Sequence, residues 1–390
     1  MSTKSVVSIS YTKPELQCNG SMRIAILCFG TSGKGGMETV ISRIIGELND
    51  LGHDTELFLL GGSYDQSWLG GVRSRIVGKA RDSKLTGYLK YALLLPGILW
   101  RFRPDLIVGA DDRAVWTAIM MKRMLRLKAP VASWMHFAIT DIWYGLLKNA
   151  DFHLAINAEN VQQLIDLHVA TPDKIYLVHN PIKLTDRTIP RPTDVAHFIY
   201  IGRLTYDGQK RVSDLITALS QVKGAWQATI MGDGIMGDGV DKERLQRLAE
   251  TMGIHTRIQW IGWQENPWAE IHSASVLVLT SEYEGFGMVL VEAMSHGIAC
   301  VSSDCRTGPA DIVKEGINGW FYPVKDVAKL TSILQRITDA PDALPQARDI
   351  KSTIEHFGTE HVIPKLIQAF QKETATPASK LQPRQRPRRA

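Results

Sequence analysis

Residues 22–29, MRIAILCF, form a short apolar run broken only by Arg23. They lead into GTSGKGGMETV, then ISRIIGEL at helical spacing, then TELFLL. Strand, glycine loop, helix and strand in that order open a parallel βαβ unit, which commits the chain to an α/β architecture.

The rhythm continues. DLIVGA (105–110), PVASWMH (130–136), FHLAIN (152–157) and IYLVHN (175–180) read as further strands, with helical segments between most of them. Residues 181–196, PIKLTDRTIPRPTDVA, lose the periodicity and carry three prolines, as a linker does. A second series then runs through HFIYIGRL, QATIMG, RIQWIGW, SVLVLTS and ACVSSD, each followed by a helix-like stretch. A chain of 390 residues exceeds what one core usually holds, so two doubly wound domains facing a central cleft are expected. Ligands of such sheets bind at the carboxyl ends of the strands. Chemistry is therefore expected in the loops after Phe29, Gly202, Gly232, Gly262, Thr280 and Ser303.

Charge and composition exclude several classes. The formal net charge is +5, but residues 373–390 carry Lys380, Arg384, Arg386, Arg388 and Arg389 against Glu373, leaving the folded body nearly neutral. No basic face suited to nucleic acid is expected. Cys18, Cys28, Cys300 and Cys305 are scattered and read as reduced thiols. Residues 1–21 lack the apolar core of a cleavable signal, and the longest apolar run, Tyr91 to Trp100, is far short of the ~20 residues a spanning helix needs. No HExxH, Cys or His cluster, or Asp-x-Asp suggests a metal. Neither a G-x-S-x-G elbow nor a GxxxxGK[ST] loop is present.

Four stretches can carry chemistry. Gly30, Gly33, Gly35 and Gly36 sit between a strand and a helix, where backbone N–H groups can approach an anion; tight-turn geometry is the alternative reading. In GRLTYDGQKR, Arg203 follows a strand and Lys210 precedes a helix starting near Val212, two cations able to neutralise a diphosphate or simply to be solvated. In LTSEYEGFGMVLVEAM, Glu284 precedes a helix starting near Gly287, and Glu292 lies inside it on an apolar stretch. A carboxylate there needs partners, such as ribose hydroxyls or an internal cation. His136 closes the strand PVASWMH and points at the interdomain gap, although a lone His is more often structural.

Taken in order, GGME (35–38), GRL with QKR (202–211) and EGFGMVLVE (284–292), an E-x7-E element, resemble the retaining GT-B glycosyltransferases of family four. That resemblance implies two Rossmann-like, doubly wound domains. Residues 1–21 form an N-terminal extension, 22–190 an acceptor domain, 191–354 a nucleotide-sugar domain, 355–372 a closing helix and 373–390 a basic disordered tail. By motif position, Glu284, Arg203, Lys210 and His136 form the catalytic set. Arg203 and Lys210 would take the diphosphate, Glu292 the ribose, Glu284 a donor-sugar hydroxyl, and His136 the sugar near its 6-hydroxyl. Gly35, Gly36 and Gly202 let backbone approach the donor, and main-chain groups of Phe286, Gly287, Met288 and Val289 complete the sugar pocket. Neither cofactor nor metal is expected.

The stretches GGMETVIS, GQKRVSDL, GWQENPW and SSDCRTGP are similar to those of bacterial lipopolysaccharide core galactosyltransferases, which form an α-1,6 link from UDP-galactose to a glucosyl residue. The implied partners are a nucleotide-sugar donor, with UDP-galactose expected, and a glycan or lipid-linked glycan acceptor. UDP-glucose, UDP-N-acetylglucosamine and GDP-mannose are alternative donors. A GT-B UDP-sugar epimerase and a non-catalytic nucleotide-sugar binding protein are the alternative functions. A cytoplasmic location is expected. MMKRMLRLK (120–128) reads either as a solvated basic face or as a peripheral contact with the anionic inner face of the membrane.

Overall fold

The computed structural model describes residues 20–79, 84–234 and 240–375. Seven parallel strands form the first sheet: β1 (Arg23–Cys28), β2 (Asp54–Leu59), β3 (Ser74–Ile76), β4 (Leu106–Gly109), β5 (Val131–Trp134), β6 (Phe152–Ala155) and β7 (Ile175–Leu177). Their order is β3-β2-β1-β4-β5-β6-β7. The second sheet is also parallel, with β8 (Ala196–Ile201), β9 (Trp226–Met231), β10 (Ile258–Ile261), β11 (Val276–Leu279), β12 (Ala299–Ser303) and β13 (Gly319–Tyr322) in the order β10-β9-β8-β11-β12-β13.

The direction of winding reverses between β1 and β4 in one sheet and between β8 and β11 in the other. At such a switch point adjacent loops diverge and leave a crevice at the carboxyl edge, so topology alone marks four loops.

Helices α1 (Gly36–Asp50), α2 (Lys84–Phe102), α3 (Asp112–Leu125) and α4 (Ala158–Asp166) belong to the first sheet. The second is flanked by α5 (Val212–Gln221), α6 (Val240–Thr251), α7 (Pro267–Glu270), α8 (Met288–Ser295), α9 (Pro309–Ile312), α10 (Val327–Asp339) and α11 (Ala347–Ser352). α12 (Thr359–Ala375) closes the described chain. One apolar core fills the space between the first sheet and α2 and α3, through Leu27, Phe58, Leu95, Leu99, Val115 and Ile119. A second runs from the opposite face of that sheet, through α1 and α12, into the second domain.

Three expectations need correction. β3 and β13 have no counterpart among the expected strands: β3 is a short, largely exposed Ser-Arg-Ile edge, and β13 is only four residues long with a half-buried centre. The closing helix starts at Thr359, after a 3-10 turn at Glu355–Phe357. It runs past 372 to Ala375, so Glu373 is not in a disordered tail. Its carboxylate is buried and accepts from Lys174 Nζ at 2.7 Å and Tyr176 Oη at 2.6 Å, tying α12 to β7. The remainder of the tail, residues 1–19 of the extension and Cys18 lie outside the described residues.

The chain crosses between domains twice, and the crossings run side by side. Ile182 N donates to Phe357 O at 2.9 Å, and Thr359 N donates to Ile182 O at 3.0 Å. The proline-rich linker is thus held, at Ile182, against the second crossing.

Candidate active site

The loops after β8 and β11 lock together. Glu282 N donates to Gln209 O at 2.8 Å, and Thr280 Oγ1 donates to Lys210 O at 2.6 Å. This places the Lys210 ammonium 2.6 Å from Glu284 Oε1, with both side chains largely buried. Ser281 Oγ donates to the same carboxylate oxygen at 2.5 Å. The cation assigned to the diphosphate and the acid assigned to the sugar are therefore one ion pair at the β8/β11 switch point. Arg203 stands apart: it is exposed, and its Nη2 donates to Gln209 Oε1 at 3.1 Å.

Glu292 lies on the fifth residue of α8, a helix otherwise packed with Leu290, Val291, Ala293 and Met294. Its Oε2 accepts from Trp268 Nε1 at 3.2 Å; Oε1 has no partner among the described residues. Burial raises its pKa, opposed by the Trp268 hydrogen bond and by the charge of Arg43. Arg43 belongs to α1 of the other domain and donates to Pro181 O at 2.7 Å, so a cation from the first domain faces this acid.

Gly287 starts α8 at φ +92°, a conformation that favours glycine, and no side chain caps the helix. α1 also starts without a side-chain cap, at Gly35. The two starts meet: a Cβ on Gly36 would lie 3.4 Å from Met288 Cγ. Two sets of N–H groups without helical acceptors thus converge from opposite domains, a ready environment for an anion.

The glycine loop holds a further acid that its motif did not signal by role. Glu38 is buried in the first turn of α1, and its Oε1 accepts from Gly33 N at 2.8 Å and Ser32 Oγ at 3.1 Å. An internal carboxylate therefore shapes the loop. Lys34 then reaches across to the second domain, 4.8 Å from the Trp263 ring centroid.

His136 sits two residues beyond the end of β5, packed 4.4 Å from the Trp134 ring. Both ring nitrogens are buried without a hydrogen-bond partner among the described residues, and burial lowers its pKa to about 3. The ring is neutral near pH 7. Its carbonyl lies close against the second domain: a Cβ on Gly285 would lie 2.0 Å from His136 O.

Around that point the domains are stitched by polar contacts that no sequence motif announces. Asn157 Nδ2 donates to Gly285 O at 2.7 Å, and Thr307 N donates to Glu159 Oε2 at 2.8 Å. Asp311 Oδ2 accepts from Ala158 N at 2.8 Å and lies 3.1 Å from His179 Nε2. The only advance signal was the Asn-Ala-Glu start of α4, where Asn157 Oδ1 caps Asn160 N. No group of three or more His, Cys, Asp or Glu able to hold a metal occurs among the described residues.

Two parallel α/β domains, with a Lys–Glu pair at one switch point, a buried acid on α8 and paired helix starts, have the architecture of a GT-B glycosyltransferase. Its sequence agrees domain by domain: the profile described as Glycosyltransferase Family 4 matches residues 34–186, and Glycosyl transferases group 1 matches 183–356. The chain belongs to this glycosyltransferase family. It is 36% identical over 327 residues to a lipopolysaccharide 1,6-galactosyltransferase of Escherichia coli K12, covering 81% of this chain and 89% of that one. The Salmonella typhimurium protein of the same name is 32% identical over 347 residues, covering 86% and 95%. The solved structure of the lipopolysaccharide outer core galactosyltransferase WaaB, apo form, aligns at TM-score 0.78 and 31% identity over 90% of this chain and 99% of that one. Anabaena HepE, at 16% identity and TM-score 0.74, shares the fold.

Proposed function

We propose that the chain transfers galactose from UDP-galactose to a glucosyl residue of the lipopolysaccharide core, forming an α-1,6 link with retention and without a metal. The observation that carries the donor site is the Lys210–Glu284 pair at the β8/β11 switch point; the sugar and acceptor rest on the names of the relatives at 36% and 32% identity.

In this reading the diphosphate lies against Arg203, Lys210 and the N–H groups of Gly35, Gly36, Met288 and Val289. The backbone of Gly202 lies alongside, and Phe286 and Gly287 border the sugar. Positive potential fixed in advance stabilises the leaving diphosphate as the anomeric carbon gains cationic character. Glu292 Oε1, with no partner among the described residues, receives a ribose hydroxyl. Neutral His136 offers a ring nitrogen to the sugar near its 6-hydroxyl. Glu284 is neutralised by Lys210 and accepts from Ser281, which makes it a poor nucleophile and a good hydroxyl acceptor. The departing phosphate oxygen takes the acceptor's proton on the same face, so no protein nucleophile is needed.

Purified protein with UDP-galactose and a glucosyl-terminated core acceptor should release UDP in the presence of a chelator. The product should show an α-configured 1,6 link by mass spectrometry and NMR. Epimerised UDP-sugar without acceptor, or binding without turnover, would overturn the reading.

A peripheral contact with anionic lipid is part of the proposal. No helix among the described residues is long and apolar enough to cross a membrane. Yet α2 and α3, side by side on one face of the first sheet, turn outward Leu93, Trp100, Trp116 and Met124, with Arg101, Arg103, Arg123 and Arg126 also exposed. Exposed apolar rings among cations suit an acidic lipid surface. Cosedimentation with phosphatidylglycerol vesicles should fall with salt and fall further in Trp100→Ser/Trp116→Ser; absence of binding would refute this contact.

A further inference from the structure

Glu284 does not hold its place through its own domain alone. Its backbone N donates to Arg306 O at 3.2 Å, and Thr307 Oγ1 donates to its carbonyl oxygen in a short contact. Thr307 is buried and held at φ +59°, a conformation unfavourable for a β-branched residue, so something must keep it there. Its N–H is held by the carboxylate of Glu159, which belongs to the first turn of α4 in the other domain. Glu159 is itself steadied by Gln163 Nε2 at 2.8 Å, and Gln163 Oε1 accepts from Ile139 N at 2.7 Å.

We propose that Glu159 is a positioning residue for the donor site: docking of the first domain fixes Thr307 and, through Thr307 Oγ1, sets the Glu284 loop that pairs with Lys210. The neighbouring contacts from Asn157 to Gly285 O and from Ala158 to Asp311 act on the same seam. The donor site is then complete only when the acceptor domain is closed on it. An open enzyme holds its nucleotide sugar loosely and is poorly arranged to lose it to water. Only the catalytic consequence rests on Glu284 contacting the donor; the loop coupling stands without it.

Hydrogen exchange on the full chain without ligand separates the two. In Glu159→Ala, amides in the peptide 281–290 should exchange at least about tenfold faster, and amides of β12 (299–303), which report the second domain's general stability, should not change. Glu159→Gln keeps an acceptor for Thr307 N and should restore most of the protection. Thr307→Val, which removes only the hydroxyl link, should mimic Glu159→Ala, and the double variant should add little more. In turnover, Glu159→Ala should raise the KM for the donor more than it lowers kcat. Unchanged protection of 281–290, or equal loss in both peptides, would overturn the coupling. Altered protection with unchanged donor kinetics would instead overturn the donor role of Glu284.

Discussion

Lys210 Nζ and Glu284 Oε1 lie 2.6 Å apart in a largely buried pair, although 74 positions separate them in sequence. Removing one member leaves a desolvated charge, which costs on the order of 3–5 kcal/mol. Lys210→Ala should therefore lower the melting temperature as well as donor turnover. Lys210→Met combined with Glu284→Gln should recover most of the stability and none of the activity. Calorimetry and UDP release measured on the same samples check this; an active double variant would remove the pair from the reaction.

Glu292 is an acid kept at a cost. Its folded pKa is raised above the ordinary carboxylate value, chiefly by burial, so the charged form destabilises the fold at every pH above that folded value. Glu292→Gln removes the charge and keeps an acceptor for Trp268 Nε1. The variant should melt higher than the native protein in the absence of ligand and bind UDP about tenfold or more weakly, as loss of a charged hydrogen bond implies. Isothermal titration and a melting curve give both numbers, and a lower melting temperature with unchanged affinity would contradict the assignment.

Much of this was legible in the sequence, for reasons that also explain the gaps. The strands at the switch points, such as β4 and β11, are continuous apolar runs because both faces are covered, and such runs are conspicuous. β3, an exposed edge, leaves no such mark. In the site, Lys210, Glu284 and Glu292 stand at the ends of readable strands or on an apolar helix, where a charge is conspicuous. Their mutual pairing was not legible, since it depends on how two loops from neighbouring strands interlock. Asn157, Glu159, Thr307 and Asp311 were missed because each looks locally like an ordinary cap or turn residue; their meaning exists only across the domain seam.

Two buried histidines predict acid sensitivity. His136 and His153 have folded pKa values lowered by burial to about 3 and about 4, against 6.5 for the free side chain. The native state holds both neutral, so their contribution is fully present above pH 6.5. It is lost as pH falls from there toward the folded values, because the unfolded chain takes up the protons first. Each should cost on the order of 1.4 kcal/mol per pH unit across that window. His153→Gln, able to keep a hydrogen bond to Ser133 Oγ, should flatten the fall in melting temperature between pH 6.5 and 4. An unchanged slope would mean that His153 titrates normally.

The backbone approach at Gly285 gives the sharpest test of closure. A Cβ there would lie 2.0 Å from His136 O and 3.0 Å from its carbonyl carbon, and backbone cannot swing aside as a side-chain tip can. Gly285 is not in a left-handed conformation, so alanine suits its dihedrals and only the cross-domain contact objects. Gly285→Ala should therefore leave each sheet intact while forcing the domains apart, with loss of the Asn157 Nδ2 bond to Gly285 O. Far-ultraviolet circular dichroism should be unchanged, the radius of gyration by small-angle scattering should increase, and donor turnover should fall by roughly a hundredfold, the scale of a misplaced reacting group. Turnover within twofold of the native protein, at an unchanged radius, would mean that the seam between His136 and Gly285 is not what brings the two halves of the site together.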